Sequence, residues 1–246
     1  MKPPTNNLPD QEFQSFCRFP ISPSDTESST PSHPINMSDI TWRIFRIMSE
    51  FVEGFQFLSN FSREVTVFGS ARLPQENHWY QEMARLTNML GKAGFTIITG
   101  GGPGIMEAAN KGAYEAGAPS LGINIQLPSE QRTNPYVTQS RGFYYFFTRK
   151  VMLTASGQAY VYGPGGMGTM DEFFEILTLV QTKKMAPVPI VCLGREYWQP
   201  LFDWMEETML GQFEAINKED LSLVSIVDTA EEAFELIKCS QGRSFF

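Results

Sequence analysis

The stretch GPGGMGTMDE, residues 163–172, decides the fold class, because it joins a β-rich run to a helical pattern through a glycine-rich turn. Glycines leave the backbone N–H groups of such a turn free to point at an anion, and the helix N-terminus adds the positive end of its dipole. A threonine and two carboxylates, Asp171 and Glu172, follow at once. The stretch therefore predicts a phosphate-bearing ligand with an acid–base residue beside it.

The same alternation of β-rich runs and helical patterns extends over most of the chain. The predicted strands are 65–68, 95–98, 121–125, 159–162, 187–193 and 224–227. The predicted helices cover 83–93, 105–113, 148–155, 168–180, 197–210 and 229–238, and a polar loop is expected over 126–142. This alternation predicts an α/β fold: a Rossmann-like, doubly wound, mostly parallel sheet with helices on both faces.

Ligands of such sheets bind beyond the carboxyl ends of the strands. Three of the predicted strands end in turns of small residues, at 69–71, 100–104 and 163–168. We expect these turns to converge on one edge of the sheet. They add Gly69, Ser70, Gly101 and Gly102 to the candidate substrate-binding residues.

The chain divides into an N-terminal arm and one domain. Residues 1–36 are rich in Pro, Ser, Thr and Asn and lack periodicity, which predicts a flexible arm. Residues 37–246 are expected to form a single α/β nucleotide-binding domain that opens with a helix capped by Ser38. The apolar stripe of that helix either packs on the core or is partly intermolecular, and the sequence leaves both interpretations open.

Composition excludes several classes of partner. The net charge of −8 repels nucleic acid, so a phosphate site must be built locally. The three cysteines and two histidines show no metal-ligand spacing, which predicts that no metal is bound. There is no run of 18 apolar residues and no apolar leader segment, so we expect a cytoplasmic protein without a membrane partner.

Familiar cofactor motifs are also missing. No turn carries the Gly-Lys-Ser/Thr of a P-loop, and the turn at 100–104 lacks the last glycine of the dinucleotide fingerprint. Pyridoxal phosphate requires a Schiff-base lysine, and Lys150 is the only lysine among the motifs. Because Arg149 is its neighbour, the pair favours anion recognition, and no cofactor is predicted. A solvated pair of cations at a helix start is the alternative.

Three segments together resemble the LONELY GUY family, formerly labelled "lysine decarboxylase-like". They are GGPGIMEA at 101–108, Arg149-Lys150, and PGGMGTMDE at 164–172. Members are phosphoribohydrolases that split nucleoside 5'-monophosphates, including cytokinin ribotides, into free base and ribose 5-phosphate. The long N-terminal segment is similar to that of the longer bacterial members. The resemblance implies at least a homodimer, with the site near the subunit interface.

The resemblance also implies roles for individual residues. Arg149 and Glu172 match the catalytic pair of the family. The positions that match its substrate contacts are Gly165, Gly166, Gly168 and Thr169 in the ribose-phosphate loop, Lys150, Thr178, and Glu130 in the loop after the third strand.

Cleavage of an N-glycosidic bond passes through a ribosyl cation, which a carboxylate can stabilise while it orients or deprotonates the attacking water. We assign this role to Glu172. Arg149 is expected to contact the phosphate or the departing base. Asp171 points about 100° away on a helix and is expected to be a partner of the helix dipole. A non-catalytic nucleotide- or cofactor-binding or regulatory module on the same fold is the alternative.

Overall fold

The computed structural model describes residues 37–125 and 133–240 of the 246-residue chain. The chain forms two units, Met1–Arg43 and Ile44–Phe246, and the second unit carries the sheet. The predicted arm over 1–36 and Glu130 lie outside the described residues. The first helix, α1, spans Met37–Leu58, so it begins one residue before the predicted Ser38.

The elements that follow alternate between strand and helix. They are β1 (Glu64–Phe68), α2 (His78–Lys92), β2 (Thr96–Thr99), α3 (Ile105–Glu115), β3 (Ser120–Ile125), β4 (Gln139–Phe143), α4 (Phe146–Ala155), β5 (Ala159–Tyr162), α5 (Met167–Gln181), β6 (Ile190–Leu193), α6 (Arg195–Trp204), a π-helical segment (Met205–Gln212), α7 (Lys218–Leu221), β7 (Val224–Val227) and α8 (Ala230–Ile237).

The strands form one seven-stranded sheet in the order β4-β3-β2-β1-β5-β6-β7, and every described pairing is parallel. The chain first builds outward from β1 to β4, then returns to the other side of β1 and builds outward again from β5. The strand order therefore reverses between β1 and β5, which is where ligands of doubly wound sheets bind. The predicted α/β fold is confirmed.

Side chains alternate between two apolar layers, one on each face of the sheet. On β1, Val65 and Val67 join a layer built with α2, α3 and α8, whereas Phe68 joins the opposite layer. On β5, Val161 lies in the first layer and Tyr162 in the second. Because both faces are covered, the central strands β1, β2 and β5 are buried along their whole length and are rich in apolar residues, as is typical of parallel sheets.

Two local predictions were wrong. Strand β4 lies inside the predicted 126–142 loop, because its sequence QSRGF offers little β-branched or aromatic signal and four of its five residues are not buried. It exists as an edge strand that pairs with β3 from Leu121↔Gln139 to Ile125↔Phe143. The predicted helix over 197–210 is divided, since α6 ends at Trp204 and a π-helical segment continues from Met205.

None of the helices in the described residues is long and apolar enough to cross a membrane.

Candidate active site

A cavity of about 820 Å³ opens at the carboxyl ends of β1 and β5, where the strand order reverses. Its walls come from the turn after β1, from Gly100 after β2, from Met106 on α3, from α4, and from the glycine turn that begins α5. The volume lies in the range of small-molecule sites, about 300–1,000 Å³. The cavity therefore combines elements that are far apart in the chain.

Backbone hydrogen bonds hold the turns against one another. Ser70 N donates to Pro164 O at 2.9 Å, which ties the turn after β1 to the turn after β5. Ile105 N donates to Ser70 O at 2.9 Å and brings in the start of α3. Gly104 makes this approach possible, because its φ is +69° and an added Cβ would lie 2.2 Å from Ser70 O. The expected convergence of the three turns is confirmed.

The glycine turn presents an open helix N-terminus to the cavity. Gly166 is the N-cap of α5, and no side chain caps it. A Cβ added at Gly166 or Gly168 would meet nothing within 4 Å, so both face open space. Gly165 packs tightly against Thr169, and the Tyr197 hydroxyl donates to Gly165 O. The turn is thus fixed from behind while its first N–H groups can receive an anion.

A carboxylate from α1 binds the start of helix α4, which carries both predicted cations. Glu50 accepts hydrogen bonds from Tyr144 N at 2.8 Å, Tyr145 N at 3.4 Å and Thr148 Oγ1 at 2.5 Å. Negative charge at a helix N-terminus offsets the unfavourable position of Arg149 and Lys150. Sequence reasoning missed Glu50, because no local motif connects residues 94 positions apart.

Arg149 is oriented by the backbone of β3 and lies against the turn that follows β2. Its Nε donates to Ile123 O of β3 at 2.8 Å. Its guanidinium covers Gly100 so closely that an added Cβ there would lie 2.5 Å from Nη2. Burial lowers the pKa of Arg149, and the nearby Glu172 opposes that shift. Arg149 is therefore a pre-oriented cation at the inner wall of the cavity.

Lys150 is engaged by two carboxylates of α5. Its Nζ lies 2.7 Å from Asp171 Oδ2 and 3.0 Å from Glu175 Oε2. Burial lowers the pKa of Lys150, but hydrogen bonds to these carboxylates raise it by more, so the net shift is upward. Asp171, expected to interact with the helix dipole, lies past the first turn of α5 and pairs with Lys150 instead. Lys150 thus ties α4 to α5.

Glu172 is the most unusual group of the site. Its side chain lines the cavity, the residue is only 7% exposed, and Oε2 has no hydrogen-bond partner within the described part of the chain. Burial raises its pKa to about 8, with Glu175 adding to the rise and Lys150 and Arg149 opposing it. A buried carboxyl without a partner is costly and is typical of functional sites.

The other predicted site residues divide into three groups. Those that line the cavity are Gly69, Ser70, Gly165, Gly166, Gly168 and Thr169. Gly101 and Gly102 are buried and do not line it; Gly101 N donates to Thr99 Oγ1 and Gly102 O accepts from Asn134 Nδ2. Thr178 lies further along α5, in a separate exposed depression with Phe174 and Leu179. The role of each remains a prediction.

Several residues that line the cavity were not among the predicted site residues, including Arg72, Phe146 and Tyr197. These three belong neither to a glycine motif nor to an acid–base pair, so no local pattern marked them. Among residues 37–125 and 133–240, no group of three or more His, Cys, Asp or Glu side chains could hold a metal ion.

The chain matches one family model and is similar in sequence to several named enzymes. The sequence model of a family described as "Possible lysine decarboxylase" matches residues 106–237. The cytokinin riboside 5'-monophosphate phosphoribohydrolase of Rhodococcoides fascians is 25% identical over 158 residues, which cover 61% of this chain and 78% of the relative. The Arabidopsis thaliana enzyme of that name, LOG4, is 25% identical over 184 residues, covering 73% and 82%.

A solved structure shares the fold. The molybdenum cofactor binding protein from the phototrophic bacterium Rippkaea orientalis superposes with a TM-score of 0.51 at 22% identity, over 71% of this chain and 93% of that protein.

We expect the free energy of unfolding of Glu172→Gln to exceed that of the wild type by a margin that grows as the pH rises from 5 to 9. The folded protein keeps the Glu172 proton up to about pH 8, whereas an unperturbed carboxyl releases it near 4.5. Because the folded state binds more protons in this window, the free energy of unfolding falls as the pH rises. Glutamine removes this loss, on the order of a few kcal/mol. Thermal unfolding at pH 5 and pH 9 measures it. The exposed Glu207→Gln is the control, and a pH-independent difference for Glu172→Gln would contradict the assignment.

We expect Glu50→Ala to lower the free energy of unfolding by about 1–3 kcal/mol, the typical contribution of hydrogen bonds to a charged group. Glu50→Gln keeps an acceptor oxygen and should lose less. Urea denaturation checks both, with Glu53→Ala as the control because Glu53 makes an exposed ion pair with Arg141. Equal losses for Glu50→Ala and Glu53→Ala would show that the Glu50 hydrogen bonds contribute no more than an exposed ion pair.

Proposed function

The chain belongs to the family described as possible lysine decarboxylase, and we propose that it hydrolyses the N-glycosidic bond of a nucleoside 5'-monophosphate. The products are a free base and ribose 5-phosphate. The substrate class is AMP or a cytokinin riboside 5'-monophosphate, in keeping with the names of the relatives from Rhodococcoides fascians and Arabidopsis thaliana.

One observation carries the proposal: the buried Glu172 carboxyl, whose Oε2 has no hydrogen-bond partner among the described residues, shares a cavity with an open glycine turn. The N–H groups at the start of α5 suit a phosphate, and Glu172 lies one and a half turns further along the same helix. A ligand held by its phosphate on the turn would bring its ribose towards Glu172 and Arg149. This arrangement supports hydrolysis at the anomeric carbon.

In the proposed reaction, water attacks the anomeric carbon as the bond to the base breaks. The electron pair of that bond leaves with the base nitrogen, which takes up a proton. The ionised Glu172 stabilises the ribosyl cation and accepts a proton from the attacking water. A pKa of about 8 suits this role, because a general base works best when its pKa lies near the operating pH.

The environment of Lys150 argues against the decarboxylation that the family description suggests. A Schiff base forms on a neutral amine. Lys150 lies between Asp171 and Glu175, and its raised pKa keeps it as an ammonium ion. No other lysine lines the cavity among the residues described. Lys150 is therefore better suited to anion recognition and helix packing than to covalent catalysis.

A non-catalytic cofactor-binding module is the second candidate. The solved structure from Rippkaea orientalis has the same fold and is named as a molybdenum cofactor binding protein. Binding alone does not require a buried, unpaired acid, so Glu172 favours the enzyme. Chromatography of the purified protein incubated with a panel of nucleoside monophosphates separates the two, since only the enzyme releases free base.

We also propose a homodimer or larger assembly. The exposed face of α1 includes Ile44, Met48 and Val52, each more than half exposed. Apolar residues repeated along one face of a helix favour the intermolecular interpretation of this element. The cytoplasmic location predicted from the sequence stays a prediction.

We expect Glu172→Gln to lower turnover of AMP by about 10²–10⁴-fold while the protein stays folded. In the wild type, kcat/KM should rise with pH and level off above about pH 8, because the carboxylate is the active form. The residual activity of the variant should lack this rise. Steady-state assays from pH 5.5 to 9.5 measure both.

Asp171→Asn is the matched control for this prediction. It removes the adjacent carboxylate, which is paired with Lys150 rather than buried alone, so its loss should be much smaller. Wild-type activity in Glu172→Gln would remove Glu172 from the mechanism.

A further inference from the structure

Three cations line the cavity within the described part of the chain: Arg72, Arg149 and Lys150. Two of these cations already contact other groups of the protein. Lys150 is paired with Asp171 and Glu175, so its charge is balanced by two carboxylates. Arg149 donates from Nε to Ile123 O and covers Gly100. These contacts hold both side chains in place before a ligand binds.

Arg72 differs from the other two. It is exposed, and its guanidinium has no hydrogen bond or ion pair with any other residue that the structure describes. Its backbone is nevertheless fixed, because Arg72 N donates to Ser70 Oγ at 3.0 Å. Arg72 is thus an exposed side chain on an anchored backbone in the lining of the cavity.

The anchor of Arg72 places it beside the glycine turn. Ser70 N donates to Pro164 O at 2.9 Å, and Pro164 directly precedes Gly165. The turn that carries Arg72 and the turn with the open N–H groups therefore run side by side. A guanidinium on the first turn can reach an anion that is seated on the second.

The charges around the turn favour such a cation. The cavity also contains Asp171 and Glu172, and the chain as a whole carries a net charge of −8. Because Lys150 is balanced by two carboxylates and Arg149 is held against Gly100, an unpaired cation would help the backbone N–H groups to hold a phosphate dianion. A planar guanidinium can donate two parallel hydrogen bonds to one phosphate, which adds both affinity and orientation.

We propose that Arg72 binds the 5'-phosphate of the substrate from the side opposite the N–H groups of the glycine turn. This inference rests on the proposed function and deepens it, because it identifies the residue that makes the site select nucleotides over nucleosides. Arg149 then remains available to the ribose and the departing base.

Base release from AMP and from adenosine by the wild type, Arg72→Ala and Arg72→Lys tests the inference. Arg72→Ala should lower kcat/KM for AMP by about 10- to 100-fold, the usual worth of hydrogen bonds to a charged group. Adenosine should react at the same slow rate with and without Arg72. Arg72→Lys should recover part of the loss on AMP, since it restores charge without the planar fork.

A second measurement does not depend on slow turnover of adenosine. Inhibition by ribose 5-phosphate should weaken in Arg72→Ala by a factor similar to the loss on AMP, because inhibitor and substrate share the phosphate. Arg85→Ala, which removes the same charge from the outer face of α2, is the control and should leave both constants unchanged.

The outcomes separate two kinds of failure. If the wild type releases no base from any nucleoside monophosphate, the proposed function fails. If the wild type is active but Arg72→Ala matches it, or loses equally on AMP and adenosine, Arg72 is not the phosphate ligand and the inference is overturned.

Discussion

The reversal of strand order between β1 and β5 is the constraint on which the site depends. It leaves the carboxyl ends of two adjacent parallel strands without a shared crossover helix above them, so a cavity forms there. The bond from Ser70 N to Pro164 O closes the floor of that cavity. Gly104, with its positive φ, lets α3 approach the same point. The glycine turn and Glu172 are thereby brought into one cavity.

Burial of the Glu172 carboxyl is the main energetic cost of the site. Its carboxyl is buried with Oε2 unpaired in the described part of the protein, although Lys150 and Arg149 are close enough to lower its pKa. The pKa of Glu172 therefore depends on which other groups these two cations contact. Lys150 is balanced by Asp171 and Glu175, so burial outweighs the attraction and the proton stays. Pairing Oε2 would have stabilised the protein, so its unpaired state fits the proton-transfer role that we propose for Glu172.

The sequence predicted the parts of this architecture that local patterns encode. Apolar runs identified six strands, and the glycine turns marked the edge of the sheet that carries the cavity. Strand β4 was missed because its pairing with β3 stabilises an edge strand of weak propensity. Glu50 and Arg72 were missed for a related reason: the first bonds the start of a helix 94 positions away, and the proposed role of the second depends on which turn lies beside it. Asp171 was expected to interact with the dipole of its own helix, but its partner is Lys150 on a different helix.

The central claim is that an anion site and a proton-holding carboxyl share one cavity. A carbon-13 NMR titration of the glutamate carboxyl groups tests it most directly, with the Glu172 signal assigned by its loss in Glu172→Gln. We predict a pKa near 8 for Glu172 in the free protein, and a further rise when ribose 5-phosphate binds, because an adjacent anion disfavours the carboxylate. A Glu172 pKa near 4.5 that does not respond to ribose 5-phosphate would contradict the claim.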